Sequence, residues 1–265
     1  MLSAIQNWYN FQNMSGHSKW SQIKRQKGAA DVKRGQAFTK LGNAITIVTR
    51  EGGGGDPAAN FRLRLAIEQA RAVNMPKENI QRAIDRGLGP TTASGLGQLE
   101  SVTYEAYGSG KVALIIEATT DNRNRTLSEI KKILDQAGGT LVSPGTVSWC
   151  FSESGLIAVN KNAKSFDEVF EAAVEAGAED VEEAGDQVEV YTKPQELTRV
   201  KEEIVSKGLT VESAELTKKP TTTVAISDQE TAKKVMRLVE NLEELDDVAK
   251  VYANFDIADT IWQEG

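Results

Sequence analysis

The order of the secondary-structure elements predicted between residues 156 and 216 constrains the fold more than any other feature of this sequence. Short runs of strand character alternate there with longer runs of helical apolar spacing. The predicted elements are a strand at 156–160, a helix at 165–176, strands at 180–183 and 187–192, a helix at 194–207 and a strand at 210–216. This β-α-β-β-α-β order is that of a ferredoxin-like unit.

Strands and helices also flank this unit on both sides. The sequence predicts strands at 102–107, 111–119 and 146–152 with a helix at 126–137 before it, and a strand at 221–226, a helix at 228–242 and a strand at 248–254 after it. The later elements would complete the sheet that begins at residue 102. We therefore interpret residues 153–220 as an acidic ferredoxin-like domain inserted into a discontinuous α/β domain of residues 91–152 and 221–258. Three contiguous domains are the simpler alternative.

Residues 14–90 are predicted to be helical throughout. Ser18 is placed to cap a first helix that runs to about Val32. The apolar residues that define the second helix are Phe38, Leu41, Ile45 and Val48. The glycines at 52–55 end it, and a third helix is expected from the Asp56 cap to residue 73, followed by a fourth at 76–86. The predicted fold class is therefore multidomain α+β, with a helical N-terminal domain and two α/β domains.

The charge of the chain is divided unequally between these parts. Residues 14–90 hold fourteen Lys and Arg against six Asp and Glu, whereas residues 91–265 hold seventeen against thirty-two. The seven cations that lie between residues 19 and 40, where Asp31 is the one acid, are Lys19, Lys24, Arg25, Lys27, Lys33, Arg34 and Lys40. A basic module on an acidic molecule indicates a phosphate-backbone partner. The alternative is a helical module that happens to be basic.

Further residues of the helical domain extend this candidate interface. His17, Ser18 and Trp20 stand in a short polar run that we expect to order on binding, and Trp20 is as consistent with base stacking as with a core position. Phe38 has the spacing of a core residue. Arg62 and Arg64 on the third helix complete the candidate interface; the other basic residues of the third and fourth helices are Arg71, Lys77, Arg82 and Arg86.

A second candidate site lies where the strand at 111–119 leads into the next helix. The run TTDNRNRT at 119–126 places Asn122, Arg123 and Arg125 at a helix N-terminus, where backbone N–H groups favour anions. Simple capping by Asp121 or Asn122, with solvated arginines, explains the run equally well.

Several classes of function lack the residues they need. The chain has one His and one Cys, no nucleotide-binding glycine motif and no apolar run long enough to cross a membrane. The acids of the third domain are better explained as a solvated face than as a metal site. We predict no catalytic residues, no metal and no cofactor, although an enzyme and a protein-binding adaptor remain competing hypotheses. Residues 1–13 are uncharged; we expect a poorly ordered extension that lacks the features of a secretory or transit signal, with the functional chain starting at Met14.

Long segments of the chain resemble the YebC/PmpR family, which includes the mitochondrial translational activator of cytochrome c oxidase subunit I. The matching segments are GHSKWSQIKRQKGAADVKRGQAFTK, GGGGDPAANFRLRLAIEQARAVNMPKENIQRAIDRG, YEAYGSGKVALIIEATTDNRNRT and GTVSWCF. The resemblance implies a three-domain protein of the bacterial cytoplasm. The nucleic-acid-facing residues that it implies are His17, Ser18, Lys19, Trp20, Lys24, Lys27, Arg34, Arg62 and Arg64. The chain departs from the family at Gly108-Ser109-Gly110-Lys111, where Gly-Pro-Gly-Gly is common, and in residues 1–13.

The resemblance leaves two functions open. Members of the family are described as DNA-binding transcriptional regulators, while others are associated with ribosomes and help translation through proline runs. The acidic body beyond residue 90 slightly favours RNA on a large particle, because it would repel a long bare duplex. In either case we expect a monomer that binds nucleic acid and no membrane; the second function adds the ribosome as a partner.

Overall fold

The computed structural model describes residues 31–89, 99–162 and 164–257, with the side chains of residues 31–34 excepted. The extension at 1–13 and the first predicted helix, except for its last residues, lie outside these ranges. The chain forms two compact units. Within the described ranges, one comprises residues 31–149 and 228–253, and the other comprises residues 150–227 and 254–257.

Three helices begin the first unit: α1 (Asp31–Glu51), α2 (Phe61–Ala72) and α3 (Lys77–Leu88). Their common core contains Ile45, Leu63, Ala66, Ile67, Ala70, Met75, Ile80, Ala83 and Ile84, with Phe38, Leu41 and Val48 packed against it. The position predicted for Phe38 is confirmed. The break expected between Val32 and Phe38 is wrong, because α1 continues through Gly35 and Gly42. A helical glycine costs about 1 kcal/mol relative to alanine, and the core packing of α1 outweighs that cost.

Helix α2, which was predicted as the third helix, begins later than expected. Residues 56–60 form a turn, in which the backbone N–H of Ala58 donates to Asp56 Oδ1 at 2.9 Å. Asn60 is the N-cap, since its Oδ1 accepts from the backbone N–H of Leu63 at 3.1 Å. Its Nδ2 also donates to the carbonyl of Val48 at 2.8 Å, which ties the turn to α1. Asn60 therefore caps helix α2, and Asp56 caps the preceding turn and not the helix.

A four-stranded antiparallel sheet completes the first unit. Its strands are β1 (Glu100–Tyr107), β2 (Ala113–Thr120), β3 (Thr140–Val142) and β9 (Val248–Ala253), in the order β3-β1-β2-β9. The helices α4 (Arg123–Gln136) and α7 (Gln229–Glu243) belong to this unit and contact each other. β9, which follows the second unit in the chain, pairs with β2, as the sequence predicted.

The second unit contains the predicted β-α-β-β-α-β order. Its elements are β4 (Phe151–Asn160), α5 (Phe166–Ala176), β5 (Asp180–Ala184), β6 (Gln187–Thr192), α6 (Leu197–Ser206) and β7 (Thr210–Pro220). The strand order β5-β6-β4-β7, antiparallel throughout, is the ferredoxin-like one. The predicted fold class, multidomain α+β, is confirmed.

Two strand predictions are wrong. Residues 146–152 do not form one strand, because a turn and a short 3-10 helix (Ser148–Cys150) precede β4. The strand predicted at 221–226 does not join the first sheet: β8 (Val224–Ile226) pairs in parallel with β10 (Phe255–Ile257).

Candidate nucleic-acid interface

Helix α2 carries three arginines on its solvent-facing surface. Arg62 and Arg71 are exposed, whereas Arg64 is half-buried and its guanidinium lies 5.7 Å from the centre of the Phe61 ring. Residues two apart on a helix differ by about 200° in direction, whereas residues seven apart point the same way. Arg64 therefore shares a side with Arg71, and the predicted pair of Arg62 and Arg64 does not form one face.

Helix α3 supplies cations that were absent from the predicted site. Arg82 and Arg86 lie one turn apart on its exposed side, opposite Ile80, Ala83, Ile84 and Gly87, which are buried. The Nη1 of Arg86 donates to Asn43 Oδ1 of α1 at 3.4 Å. Gly87 allows this close packing, because a Cβ there would lie 2.7 Å from the carbonyl oxygen of Thr46. The four-residue spacing of the two arginines was the signal that could have identified them.

These cations share one electrostatic property. Among the residues that the structure describes, no carboxylate forms an ion pair with Arg62, Arg64, Arg71, Lys77, Arg82 or Arg86. The polar contacts of Arg64 and Arg82 are to Pro57 O, Glu78 O and Asn79 Oδ1, none of which cancels their charge. We call these six residues the cationic surface, which covers more than one side of α2 because Arg62 points away from Arg64 and Arg71.

Lys40 lies elsewhere. Its ammonium donates to the carbonyl oxygen of Glu243, the last residue of α7, and the Nε2 of Gln36 one turn earlier donates to the carbonyl of Glu244. A cation at a helix C-terminus satisfies an unpaired carbonyl and stabilises the helix dipole. The contact gives the Lys40 ammonium a structural role at the C-terminus of α7, and its predicted contact with nucleic acid stays a prediction.

The other predicted positions cannot be placed by contacts. His17, Ser18, Lys19, Trp20, Lys24, Arg25 and Lys27 lie outside the described residues. Lys33 and Arg34 lie in the first turn of α1, where side chains are not described.

The turn before α4 is capped internally. Asn122 is the N-cap of α4, and its Oδ1 accepts from the backbone N–H of Arg125 at 3.1 Å. The Nε of Arg123 lies 2.6 Å from Glu100 Oε1. The Nη2 of Arg125 lies 2.9 Å from Asp121 Oδ1 and 2.7 Å from Asp247 Oδ2. This geometry matches the capping alternative, except that both arginines are ion-paired where solvated ones were expected.

Asp247 joins this turn to the loop before β9. Its Oδ2 accepts from Thr126 Oγ1 at 2.6 Å and from Thr120 Oγ1 at 3.1 Å, in addition to Arg125. Burial would raise the pKa of Asp247, but the hydrogen bonds from Thr126 and Arg125 outweigh burial and lower the pKa below its usual value. No local sequence pattern pointed to Asp247, because 122 positions separate it from Arg125.

Glu105 organises a third polar site. Its buried carboxylate accepts from the backbone N–H groups of Gly145, Val147 and Ser148 at 2.7, 2.6 and 3.2 Å. Burial would raise the pKa of Glu105, but these three bonds lower it overall. The loop therefore binds an anion that the chain itself supplies. It ends at Trp149, which is 66% exposed and whose Nε1 donates to the carbonyl of Thr146 at 2.9 Å.

Comparison with known proteins identifies the family. Residues 18–90 match the model of the TACO1/YebC protein N-terminal domain, and residues 99–255 match the model of the TACO1/YebC second and third domain. The chain belongs to the TACO1/YebC family. The resemblance seen in the sequence motifs is thereby confirmed, and so is the YebC-like three-domain architecture.

Relatives of similar length cover nearly the whole chain. A "Probable transcriptional regulatory protein" of Roseiflexus castenholzii is 53% identical over 253 residues, which is 95% of this chain and 98% of that protein. One from a Sulfurihydrogenibium species is 52% identical over 252 residues, covering 95% of this chain and 99% of its own. The crystal structure of a conserved hypothetical protein from Aquifex aeolicus has a TM-score of 0.79 and 47% identity, covering 86% of this chain and 93% of that one.

The described residues of this TACO1/YebC protein lack two further features. They contain no group of three or more His, Cys, Asp and Glu side chains placed to hold a metal ion. They also contain no helix that combines the length and the apolar character of a membrane span.

Proposed function

We propose that this TACO1/YebC protein is a non-enzymatic regulator of gene expression that binds nucleic acid through its helical N-terminal domain. The observation that carries the proposal is the cationic surface of α2 and α3, whose charges no described carboxylate neutralises. Lysine and arginine of this kind bind phosphates and release counterions, which gives affinity without a catalytic site. The names of the relatives as transcriptional regulatory proteins support regulation of transcription.

The proposal includes an arrangement of domains. Residues 14–90 form the nucleic-acid-binding domain, residues 91–152 and 221–258 form the discontinuous α/β domain, and residues 153–220 form the inserted acidic domain. The paired sheet strands on either side of the ferredoxin-like unit support the insertion. We further propose that the protein acts as a monomer in the cytoplasm.

A second candidate is a ribosome-associated translation factor that binds ribosomal RNA. The charge distribution favours it, since residues 91–265 hold thirty-two acids against seventeen Lys and Arg. Such a body is repelled by a long bare duplex but can lie against basic proteins of a large particle.

Binding as a function of salt tests both candidates. The full chain is titrated with duplex DNA, a ribosomal RNA fragment and whole ribosomes between about 50 and 200 mM salt. Phosphate contacts give a steep linear fall of log affinity with log salt, and the tightest of the three partners identifies the target. A flat dependence for all three would instead indicate that the basic face binds an acidic protein.

Charge reversal locates the interface. Arg82→Glu combined with Arg86→Glu is expected to weaken binding about tenfold or more, because two phosphate contacts become repulsive. Lys131→Glu with Lys132→Glu, two exposed positions on α4, changes the net charge equally and is the matched control. Lys24→Glu with Lys27→Glu tests the basic stretch before residue 31 in the same way. Equal losses in the α3 and α4 pairs would contradict the assignment.

A further inference from the structure

Helix α5 of the ferredoxin-like unit carries an apolar stripe beside its buried face. Val169, Ala173 and Ala176 face the core of the unit. Phe166, Phe170 and Val174 recur every four residues on the adjoining flank, and Phe170 and Val174 remain 43% and 50% exposed. Single exposed apolar side chains are common on proteins, but a contiguous stripe that includes two aromatic rings indicates a contact surface.

The stripe points away from the neighbouring helix. α6 lies against the opposite flank of α5, where the Lys207 ammonium pairs with the Glu175 carboxylate and the Nη1 of Arg199 donates to the carbonyl of Ala176 at 3.1 Å. α5 also contacts β5, the strand that ends the order β5-β6-β4-β7. Phe170 and Val174 stay exposed beside these contacts.

The rings of the stripe are held in place. The Phe166 and Phe170 ring centroids are 5.8 Å apart with the planes tilted by 45°. A capping box fixes the start of the helix, because Ser165 and Glu168 exchange hydrogen bonds. A surface that is rigid before binding loses little conformational entropy when it binds.

The solvent side of the stripe is acidic. Asp167 and Glu171 are exposed next to Phe170 and Val174, and neither forms an ion pair within the described part of the chain. The unit as a whole is also acidic, since residues 151–220 hold sixteen Asp and Glu against eight Lys and Arg. An apolar centre with an acidic rim is complementary to an apolar segment that carries Lys or Arg.

We propose that the stripe of Phe166, Phe170 and Val174 with its rim of Asp167 and Glu171 docks a basic amphipathic helix of a partner protein. The three apolar residues span about two helical turns, roughly 12 Å, which suits side-by-side packing with a second helix. Apolar anchors of the partner cover the rings, and its Lys or Arg side chains reach the two carboxylates. Nucleic acid is excluded from this surface by charge, so the interaction is separate from the cationic surface and the function proposed for it.

A designed peptide tests the surface on the full chain. The probe is a 14-residue helix of Leu and Lys with the leucines on one side; one comparison peptide has Glu in place of Lys and the other has Ser in place of Leu. The Leu–Lys peptide is expected to bind, and the other two to bind at least tenfold more weakly. Affinity is measured by fluorescence anisotropy, with circular dichroism as the check on folding.

Variants of the protein separate the stripe from general attraction to an acidic molecule. Phe170→Ser with Val174→Ser is expected to lower the affinity for the Leu–Lys peptide at least tenfold. Asp167→Asn with Glu171→Gln is expected to lower it at least threefold and to make the affinity less dependent on salt. Val205→Ser is the control, because Val205 is 51% exposed on α6. Equal losses in the control, or unchanged binding in the folded stripe variants, would overturn the proposal. Self-association in sedimentation velocity that the serine pair abolishes would also overturn it, by showing that a second copy of the chain is the occupant.

Discussion

Two exposed arginine pairs of this protein have opposite surroundings. Arg82 and Arg86 of α3 face solvent without a described carboxylate partner, whereas Arg123 and Arg125 at the start of α4 bind Glu100, Asp121 and Asp247. The difference does not lie in exposure, since all four arginines are exposed. It lies in acids that the fold brings to α4 from distant positions. Only the first pair is available to an external anion, which is why charge density along a sequence does not by itself locate a phosphate site.

Removing the central acid of the α4 cluster should have the largest effect. Asp247→Ala leaves Thr120, Thr126 and Arg125 without their shared acceptor, so we expect the free energy of unfolding to fall by about 2–4 kcal/mol. Urea denaturation measures the change. Asp121→Ala removes the exposed partner of the same arginine and should cost no more than about 1 kcal/mol. Similar losses in the two variants would show that Asp247 is not the organising acceptor.

Neutralising each arginine pair compares the two regions directly. Arg82→Gln with Arg86→Gln should reduce the slope of log affinity against log salt by about 2 and weaken nucleic-acid binding about tenfold near 100 mM salt, with little change in stability. Arg123→Gln with Arg125→Gln should leave the slope unchanged and lower the unfolding midpoint in urea. If both pairs reduce the slope equally, the turn before α4 is also a phosphate site, and the distinction between the regions fails.

The sequence allowed much of the fold to be predicted, for physical reasons that also explain the errors. Helical periodicity placed Phe38 against the core, and the strand–helix order gave the ferredoxin-like unit. The residues at 146–152 looked like a strand because Val147 and Trp149 favour strands. The backbone N–H groups of Gly145, Val147 and Ser148 instead donate to Glu105, about forty residues earlier. Such a contact is set by tertiary structure and leaves no local pattern.

The candidate site was predictable to a smaller extent. Composition located the basic domain. For the turn before α4, capping by Asn122 was one of the two interpretations that the sequence allowed. Arg125 binds Asp247, and Lys40 caps α7 at Glu243. Both partners lie more than 120 positions away in the sequence. A sequence without such contact information cannot separate a cation that binds a partner from one that holds the fold together.

Acidification should destabilise the protein through the two internal carboxylates. The folded-state pKa values of Glu105 and Asp247 are lower than their ordinary values of 4.5 and 3.8. Their stabilising contribution is therefore complete above the ordinary values and is lost as pH falls through the lower folded values. Glu105→Gln should flatten the fall in unfolding free energy below pH 4.5 by up to about 1.4 kcal/mol per pH unit. An unchanged pH profile in this variant would show that Glu105 binds its proton equally in both states.

Substitution of Lys40 should have the smallest effect. It tests the distinction between cations that bind nucleic acid and cations that stabilise the fold. Lys40→Met keeps most of the apolar stem but removes the charge from the C-terminus of α7, so we expect a loss of about 0.5–1 kcal/mol in the free energy of unfolding. The exposed Lys131 of α4 is the matched control, and Lys131→Met should change stability by no more than about 0.5 kcal/mol. Nucleic-acid affinity and its salt slope should be the same in both variants. A slope reduced by about 1 in Lys40→Met alone would mean that this ammonium contacts a phosphate, as its neighbours in the sequence suggested, and that its bond to Glu243 yields when nucleic acid binds.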